Sequence, residues 1–233
     1  MILFDNLKLN RVILELKFED GFLYLDKCGS ILKKIHADFS GWERVRITPD
    51  GGAVLKNKKD RLELLYSMSF IRFVQTEVEN LNKFRTITSD IIPVIISELD
   101  IGRFSRIGNR YLYLFPLKNI EQGEELIKKS DFFTVREEKI GFFGERLKNS
   151  RFVFVIESDY LNYRLDIYTI ERDDAKLPEN IKINETYTPK YALQFDIDVF
   201  TEKPTNVVDF DSSIFIQKVK KTLENNLIPF FFK

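Results

Sequence analysis

Two aspartates separated by one residue form the pattern best suited to chemistry in this sequence. Asp196 and Asp198 lie in an apolar run whose alternation predicts a strand. Side chains two residues apart on a strand point to the same face, so the two carboxylates lie about 7 Å apart along the chain. Carboxylates at this spacing could hold a divalent cation for the hydrolysis of a phosphate or an ester.

Two arginines offer these carboxylates a different partner. Arg106 and Arg110 share one face of a second predicted strand. If this face meets the two aspartates, guanidinium–carboxylate pairs satisfy both sets of charges. The sequence favours such a structural charge network over a metal site, because ion pairs commonly explain clustered charges. It therefore assigns no catalytic residue, no metal ligand and no cofactor.

A basic segment follows the turn predicted at residues 49–52. Its cationic side chains could contact phosphates, while phenylalanine and tyrosine side chains on neighbouring strands stack on bases. The net charge of the chain is zero, so the sequence favours a solvated loop that protects a sheet edge. The candidate nucleic-acid contacts are Lys56, Lys58, Lys59 and Arg61.

Three consecutive phenylalanines stand near the C-terminus. An exposed apolar cluster of this kind favours aggregation, so the sequence predicts that something covers it. The tail either folds back onto the body of the protein, which the sequence favours, or docks into a partner or a second copy. The candidate docking residues are Phe230, Phe231 and Phe232.

Several common catalytic arrangements do not occur in the sequence. His36 is its only histidine and Cys28 its only cysteine, and at eight residues apart they do not align on one helix face. No phosphate-binding G-x-x-x-x-G-K-[ST] or dinucleotide-binding G-x-G-x-x-G pattern is present. Glu15 and Lys17 form an E-x-K pair of a kind that some metal-dependent nucleases use, but a solvated strand face is the favoured interpretation. The sequence thus favours a function without catalysis.

The elements that must position these residues come in two similar series. Alternating and β-branched runs predict strands, and apolar residues three and four apart predict helices. The predicted strands cover residues 12–18, 42–48, 62–77, 106–117, 151–157, 163–171 and 191–202. The predicted helices cover residues 28–39, 86–99 and 120–129 and a final segment from Asp209 or Asp211.

Single residues define some details of these elements. Asp26 is predicted to cap the first helix. Ser89 or Asp90 is predicted to cap the second, which places Pro93 in the first helical turn, where proline is tolerated. The run at residues 62–77 is predicted to form one strand or a bent pair of strands.

Short spacings between the predicted strands favour antiparallel pairing, since parallel strands need long crossover connections. The sequence therefore predicts an α+β fold of two related lobes, with antiparallel sheets packed by helices and a long C-terminal helix. Residues 1–233 are expected to form a single compact unit, with approximate lobes at 1–102 and 103–233. Most of the 22 phenylalanines and 9 tyrosines fall on predicted strands, where they are expected to fill the core.

Three short motifs, in one order, resemble those of a known family. They are the strand VILELKF near the N-terminus, the run R-I-G-x-R-Y at residues 106–111 and D-I-D-V-F at residues 196–200. Together they resemble the TIGR04255 family, sporadically distributed prokaryotic proteins of about this size, over residues 10–230. Asn109 takes a position at which the family pattern has an apolar residue. The resemblance implies a fold and no catalytic residues, and the patchy distribution points by association to phage-defence loci.

The leading functional prediction is a non-enzymatic binding or assembly component of a prokaryotic phage-defence system of several proteins. Its partner is expected to be another protein or a second copy of the chain. One alternative is a nucleic-acid-binding accessory protein that uses the basic segment together with Arg106 and Arg110. Another is a metal-dependent hydrolase that uses Asp196 and Asp198. No signal peptide and no apolar run of the ~20 residues that span a membrane is recognised, so a cytoplasmic location is expected.

Overall fold

Strand β1 (Lys8–Lys17) lies at the centre of a nine-stranded sheet. The structure is a computed structural model, and it describes residues 4–19, 21–48, 52–130, 150–158, 160–174 and 183–232. The other strands are β2 (Glu43–Thr48), β3 (Gly52–Asn57), β4 (Leu62–Tyr66), β5 (Phe70–Thr76), β6 (Arg103–Phe104), β7 (Arg106–Leu117), β8 (Arg151–Ile156), β9 (Asn162–Glu171), β10 (Tyr191–Phe200) and β11 (Thr205–Asn206). The helices of the described residues are α1 (Tyr24–Asp38), α2 (Leu81–Leu99), α3 (Ile120–Lys128) and α4 (Ser212–Phe232).

Neighbouring strands of the large sheet are antiparallel, and their order is β2-β3-β4-β5-β1-β7-β10-β9-β8. At the centre, Glu15 of β1 lies opposite Gly108 of β7, and Ile13 lies opposite Arg110. The two short strands β6 and β11 form a separate pair. The R-I-G-x-R-Y motif is therefore the start of a central strand that is paired on both sides.

The two halves of the chain build this sheet in a similar way, with five strands from the first half and four from the second. In the first half, β1 and α1 are followed by strands that run from the outer edge back to the centre, where β5 pairs with β1. In the second half, β7 and α3 are followed by β8, β9 and β10, and β10 pairs with β7. Each series ends in a long helix, α2 or α4. One continuous sheet thus joins two series of similar order through the β1–β7 pair, with one more strand in the first series than in the second.

The helices pack against one face of the sheet. The Tyr66 hydroxyl donates to the Cys28 carbonyl of α1 at 3.0 Å, and the Tyr111 hydroxyl contacts the Ile216 carbonyl of α4. A Cβ at Gly123 of α3 would lie 2.1 Å from Thr169 Cγ2, so only glycine lets this helix approach β9 so closely. Every second side chain of a strand points towards the helices. These side chains form the core together with the buried residues of the helices.

The α+β class, the antiparallel pairing and the long C-terminal helix are confirmed. The run predicted at residues 62–77 forms two strands, β4 and β5, paired as a hairpin. Strand β3 is not among the predicted strands, and its last two residues, Lys56 and Asn57, belong to the basic segment for which the sequence favours a loop. Ala53 and Leu55 are fully buried in the core, and this burial explains why the segment is a strand.

The predicted caps of the first two long helices are wrong. Helix α1 begins after Leu23 without a side-chain cap, and Asp26 lies inside its first turn, where a negative charge favours the helix dipole. Helix α2 begins five residues earlier than predicted, because the Asn80 side chain accepts a hydrogen bond from the Asn82 N–H at 2.9 Å. Pro93 therefore lies in the helix interior, where its ring removes one backbone hydrogen bond.

Some predictions fall on parts of the chain that are not described. Residues 49–51 of the predicted turn lie outside the described residues. In the described part of the chain, no helix has both the length and the apolar character needed to cross a membrane.

Candidate functional site

The face of the sheet opposite the helices carries charged side chains; we call it the open face. One row of directly opposite residues crosses all nine strands, and six of its nine members are charged. From β2 to β8 the row is Glu43, Lys56, Glu63, Val74, Ile13, Arg110, Asp198, Arg164 and Val155. The parity of the strands places these side chains together, because directly opposite residues share a face.

One predicted arginine and one predicted aspartate form a bidentate pair on this face. Arg110 Nε donates to Asp196 Oδ1 at 2.6 Å, and Arg110 Nη2 donates to Oδ2 of the same carboxylate. Asp196 is buried, whereas half of the Arg110 side chain is exposed. The hydrogen bonds to Asp196 raise the pKa of Arg110 above its ordinary value. Both oxygens of the Asp196 carboxylate are therefore held by a permanent cation.

The other predicted pair depends on a glycine. Arg106 Nη2 donates to Asp198 Oδ2 at 2.8 Å, and Arg106 Nη1 lies 3.6 Å from Glu15 Oε1. A Cβ on Gly108 would lie 2.8 Å from Arg106 Nη1, so the guanidinium lies directly over the glycine backbone. Glycine at position 108 thus lets Arg106 reach carboxylates on the strands at both sides of β7.

Glu15 extends this network to β5. Arg72 Nε donates to Glu15 Oε2 at 2.6 Å, and Arg72 Nη2 contacts the same oxygen. Lys17 Nζ lies 3.7 Å from Glu15 Oε1. Glu15 therefore links Arg72 to Arg106, and one chain of alternating charges runs from β5 across β1 and β7 to Asp198 on β10.

A second bidentate pair lies near the far edge of the open face. Arg151 Nε donates to Asp166 Oδ1 at 2.7 Å, and Arg151 Nη2 donates to Oδ2. The hydrogen bonds to Asp166 raise the pKa of Arg151 above its ordinary value. Burial, together with the nearby carboxylates of Asp196 and Asp166, raises the pKa of Tyr168. Each carboxylate of β9 and β10 on this face thus has an arginine partner.

A groove of about 760 Å³ lies on the open face between β3 and β10. Its lining contains seven cationic side chains and only three carboxylates, although the whole chain has no net charge. The cations are Arg11, Lys56, Lys58, Arg61, Arg72, Arg106 and Arg110, and the carboxylates are Glu15, Glu63 and Asp198. The lining itself therefore carries more cations than carboxylates, which favours anions. Three of these cations, Arg110, Lys58 and Arg61, also pair with carboxylates that lie outside the lining, those of Asp196, Glu43 and Glu77.

The basic segment contributes three side chains to this same groove. Lys56 Nζ lies 3.0 Å from Glu63, Lys58 Nζ lies 2.7 Å from Glu43, and Arg61 lies 2.8 Å from Glu77. All three cations are well exposed, and pairs of this kind contribute little to stability. Lys59 lies in the same turn but does not line the groove. The structure thus brings Lys56, Lys58 and Arg61 together with Arg106 and Arg110.

Among the groove cations, Arg11 has the fewest contacts with carboxylates of the described residues. Its side chain is exposed on β1, and within the described residues it makes no ion pair or side-chain hydrogen bond. On β9, the exposed Arg164 is in the same situation, and it lies opposite Asp198. Cations without a carboxylate partner are the ones most readily available to an anionic ligand.

Aromatic rings lie beside the arginines of the open face. The guanidinium of Arg72 lies 4.9 Å from the ring centre of Phe70, and that of Arg106 lies 4.7 Å from Phe200. The Arg151 guanidinium lies 4.9 Å from Tyr168 in the same way. Planar groups of this type, both rings and guanidinium planes, can stack on nucleobases.

Phe230 and Phe231 belong to helix α4 and lie on the helix-covered face of the sheet, opposite the face that carries the groove. Phe231 is fully buried, and its ring packs edge-on against Phe195 at a centroid distance of 5.3 Å. Phe230 packs edge-on against Phe154 of β8 and remains 36% exposed. The side chain of Phe232 lies outside the described residues. The chain's own sheet thus covers Phe231, as the fold-back interpretation expects.

The paired aspartates have partners other than a metal ion. Asp196 accepts two hydrogen bonds from Arg110, and Asp198 accepts one from Arg106. In the described ranges, no group of three or more histidine, cysteine or acidic side chains is arranged to hold a metal ion. The geometry thus fits the structural charge network that the sequence favours.

No protein-family model matches this chain, and no curated protein matches it. The resemblance to the TIGR04255 family stays a prediction.

Three residues that line the groove were not singled out from the sequence. Arg11, Arg72 and Gly108 all lie on the open face. The alternation of β1, β5 and β7 indicates which neighbours along its own strand share a face with each of them. Parity assigns each of them to a face of its own strand. It does not give the strand order, so their common location becomes visible only in the folded sheet.

Proposed function

We propose that this chain is a non-enzymatic binding protein and that the groove on its open face binds single-stranded nucleic acid. The single observation that carries the proposal is the lining of the groove, with seven cations against three carboxylates in a chain of zero net charge. Phosphate contacts of this kind supply most of the affinity in binding without sequence preference.

The dimensions of the groove support an extended ligand. Its lining residues come from six adjacent strands, β3 to β10, and six strands at a spacing of ~4.8 Å span about 24 Å. The rings of Phe70 and Phe200 and the arginine planes beside them lie on the same face. A sheet face that combines cations with stacking groups is a recurrent platform for single strands.

The network itself supports binding without catalysis. Asp196, Asp198 and Glu15 all accept hydrogen bonds or ion pairs from arginines. A carboxylate that is held in this way serves poorly as a general base, because its lone pairs are directed at the guanidinium. The resemblance adds the prediction that such a binding protein serves in a prokaryotic phage-defence assembly, which affinity purification from the host with analysis of co-eluting proteins and nucleic acid would test.

The direct test compares two variants that remove the same number of charges. Arg11→Gln with Lys58→Gln removes two exposed groove cations, whereas Lys33→Gln with Lys221→Gln removes two exposed cations from α1 and α4. We expect the groove variant to bind a fluorescent single-stranded oligonucleotide about tenfold more weakly than the wild type, because two phosphate contacts are lost. The helix variant is expected to bind like the wild type.

Two outcomes would contradict the proposal. If both variants lose affinity equally, the interaction depends on overall charge and not on the groove. If a duplex of equal length displaces the single strand efficiently, the stacking platform is not what the ligand contacts. Circular dichroism of both variants checks that neither substitution alters the fold.

A further inference from the structure

We propose that Arg72 and Arg106 form two nucleobase-binding subsites within the groove, and that the phosphates of the ligand contact other cations of the lining. This inference rests on the proposed function, because it assigns the parts of a single strand to parts of the groove. It makes the ligand a polyanion that carries bases, and it excludes a polyanion without them, such as polyphosphate.

The two arginines have the same surroundings. The Arg72 guanidinium lies over the ring of Phe70 at 4.9 Å, and the Arg106 guanidinium lies over the ring of Phe200 at 4.7 Å. Both arginines line the groove, and their side chains remain partly exposed, at 38% for Arg72 and 29% for Arg106. A guanidinium that an aromatic ring supports in this way can take a planar base against its exposed side.

Carboxylates keep phosphates away from these two arginines. Arg72 Nε donates to Glu15 Oε2 at 2.6 Å, and Arg106 Nη2 donates to Asp198 Oδ2 at 2.8 Å. Glu15 Oε1 also lies 3.6 Å from Arg106 Nη1. A phosphate that approaches either guanidinium is repelled by a carboxylate already bound there, whereas a neutral base is not. The two arginines therefore suit bases better than phosphates.

The cations at the other end of the groove suit phosphates. Arg61, Thr76 and Arg11 lie beside one another, because the Thr76 N–H donates to the Arg61 carbonyl at 3.1 Å and Arg11 lies opposite Thr76. Arg11 makes no ion pair in the described ranges, and the ion pair of Arg61 with Glu77 is partly exposed. Arg11 and Glu15 lie about 13 Å apart along β1. One face of the sheet thus carries a row for phosphates and a row for bases.

The separation of the two subsites favours a single strand. Arg72 on β5 and Gly108 on β7, over which Arg106 lies, both stand opposite Glu15 on β1. Two strand spacings of ~4.8 Å place the subsites about 10 Å apart. Neighbouring bases in a duplex are stacked at about 3.4 Å. A single strand can separate two bases by the larger distance, whereas a duplex holds them in its stack.

Two fluorescent oligonucleotides of equal length and charge test the subsites, an oligothymidylate and the same backbone with abasic sites. We expect the wild type to bind the oligothymidylate at least tenfold more tightly, because the abasic strand cannot stack on the two arginines. Arg72→Lys with Arg106→Lys keeps both charges and removes both planes, so we expect a preference of less than twofold. The matched control is Arg151→Lys, which removes a guanidinium that lies over Tyr168 but outside the groove lining, and it should keep the wild-type preference.

The wild-type comparison does not depend on the folding of any variant. Equal affinity of the wild type for the two oligonucleotides, with a salt dependence typical of phosphate contacts, would overturn the two subsites and leave the proposed function standing. Binding of neither oligonucleotide would overturn both. A double variant that keeps the circular dichroism and the base preference of the wild type would also overturn the subsites. If the double variant does not fold, the single variants Arg72→Lys and Arg106→Lys are compared, each with an expected loss of preference of about threefold, and an unchanged preference in both would overturn the inference.

Discussion

Gly108 determines where the central arginine of the open face lies. The Arg106 guanidinium lies over its backbone and reaches Asp198 on one side and Glu15 on the other. In the R-I-G-x-R-Y motif, the arginines and the glycine face the groove, while Ile107 and Tyr111 are buried in the core. Asn109 is also buried, where its Nδ2 donates to the Ile13 carbonyl at 2.8 Å and its Oδ1 accepts from the Tyr111 hydroxyl at 2.5 Å. A polar residue at this position is thus fully satisfied.

The bidentate pair of Arg110 and Asp196 gives a prediction about stability. Arg110→Met removes the partner of a buried carboxylate, and we expect it to lower the free energy of unfolding by about 2 kcal/mol, because Asp196 loses both hydrogen bonds. Adding Asp196→Leu should restore most of the loss, since the uncompensated charge is then gone. Urea denaturation of the single and double variants measures both values. Equal instability of the two variants would show that the pair itself, and not the orphaned charge, matters.

At the scale of elements, the contact between α1 and α2 depends on a cluster around Glu98. Its carboxylate accepts hydrogen bonds from the Ser30 hydroxyl, at 2.8 Å, and from Lys34, and Lys27 lies 3.9 Å away. The hydrogen bonds from Lys34 and Ser30 lower the pKa of Glu98 below its ordinary value of 4.5. These contacts join residues more than sixty positions apart in the chain and hold one face of α1 on α2.

The lowered pKa of Glu98 predicts how stability changes in acid. A carboxyl group with a lower pKa in the folded state stabilises the fold above its unfolded pKa, and this stabilisation is lost as the pH falls through the folded value. Between about pH 5 and pH 3, the unfolding free energy of the wild type should therefore fall more steeply than that of Glu98→Gln. Denaturation at several pH values checks this difference, with Glu121→Gln, on another helix, as a control substitution. Parallel curves for the wild type and Glu98→Gln would contradict the assignment.

The elements also show how far the sequence predicts the fold. The partial alternation of residues 106–117 predicts strand β7 with the bounds that the structure gives it, although Leu112 and Leu114 lie on the same face as Arg110. The start of α2 was missed, since the packing of Ile91, Ile92 and Ile95 keeps Pro93 inside a helix that local preference would begin later. Alternation along a strand does not predict the order or the register of the strands. The pairing of Arg106 and Arg110 with the aspartates was therefore only a hypothesis from the sequence. It could not place Arg11 and Arg72 beside them.

At the scale of the whole molecule, the fold separates two tasks. Within the described residues, one face of the sheet packs against helices α1 to α4, and this layer buries aromatic side chains such as Phe73, Phe195 and Phe231. The other face is left for a charge network and a cationic groove. The two halves of the chain share this face, because the groove crosses the β1–β7 junction at which they meet. A ligand in the groove would therefore contact residues from both halves.

The salt dependence of nucleic-acid binding tests this account most directly. In a fluorescence anisotropy titration with a random-sequence single-stranded oligonucleotide, we expect binding at low salt by the wild type. The logarithm of the association constant should fall linearly with the logarithm of salt concentration, with a slope of about −3 for four phosphate contacts at ~0.7 each. Four is the excess of cations over carboxylates in the groove lining. Flat anisotropy at low salt, or an affinity independent of salt, would contradict the central claim that this groove binds nucleic acid.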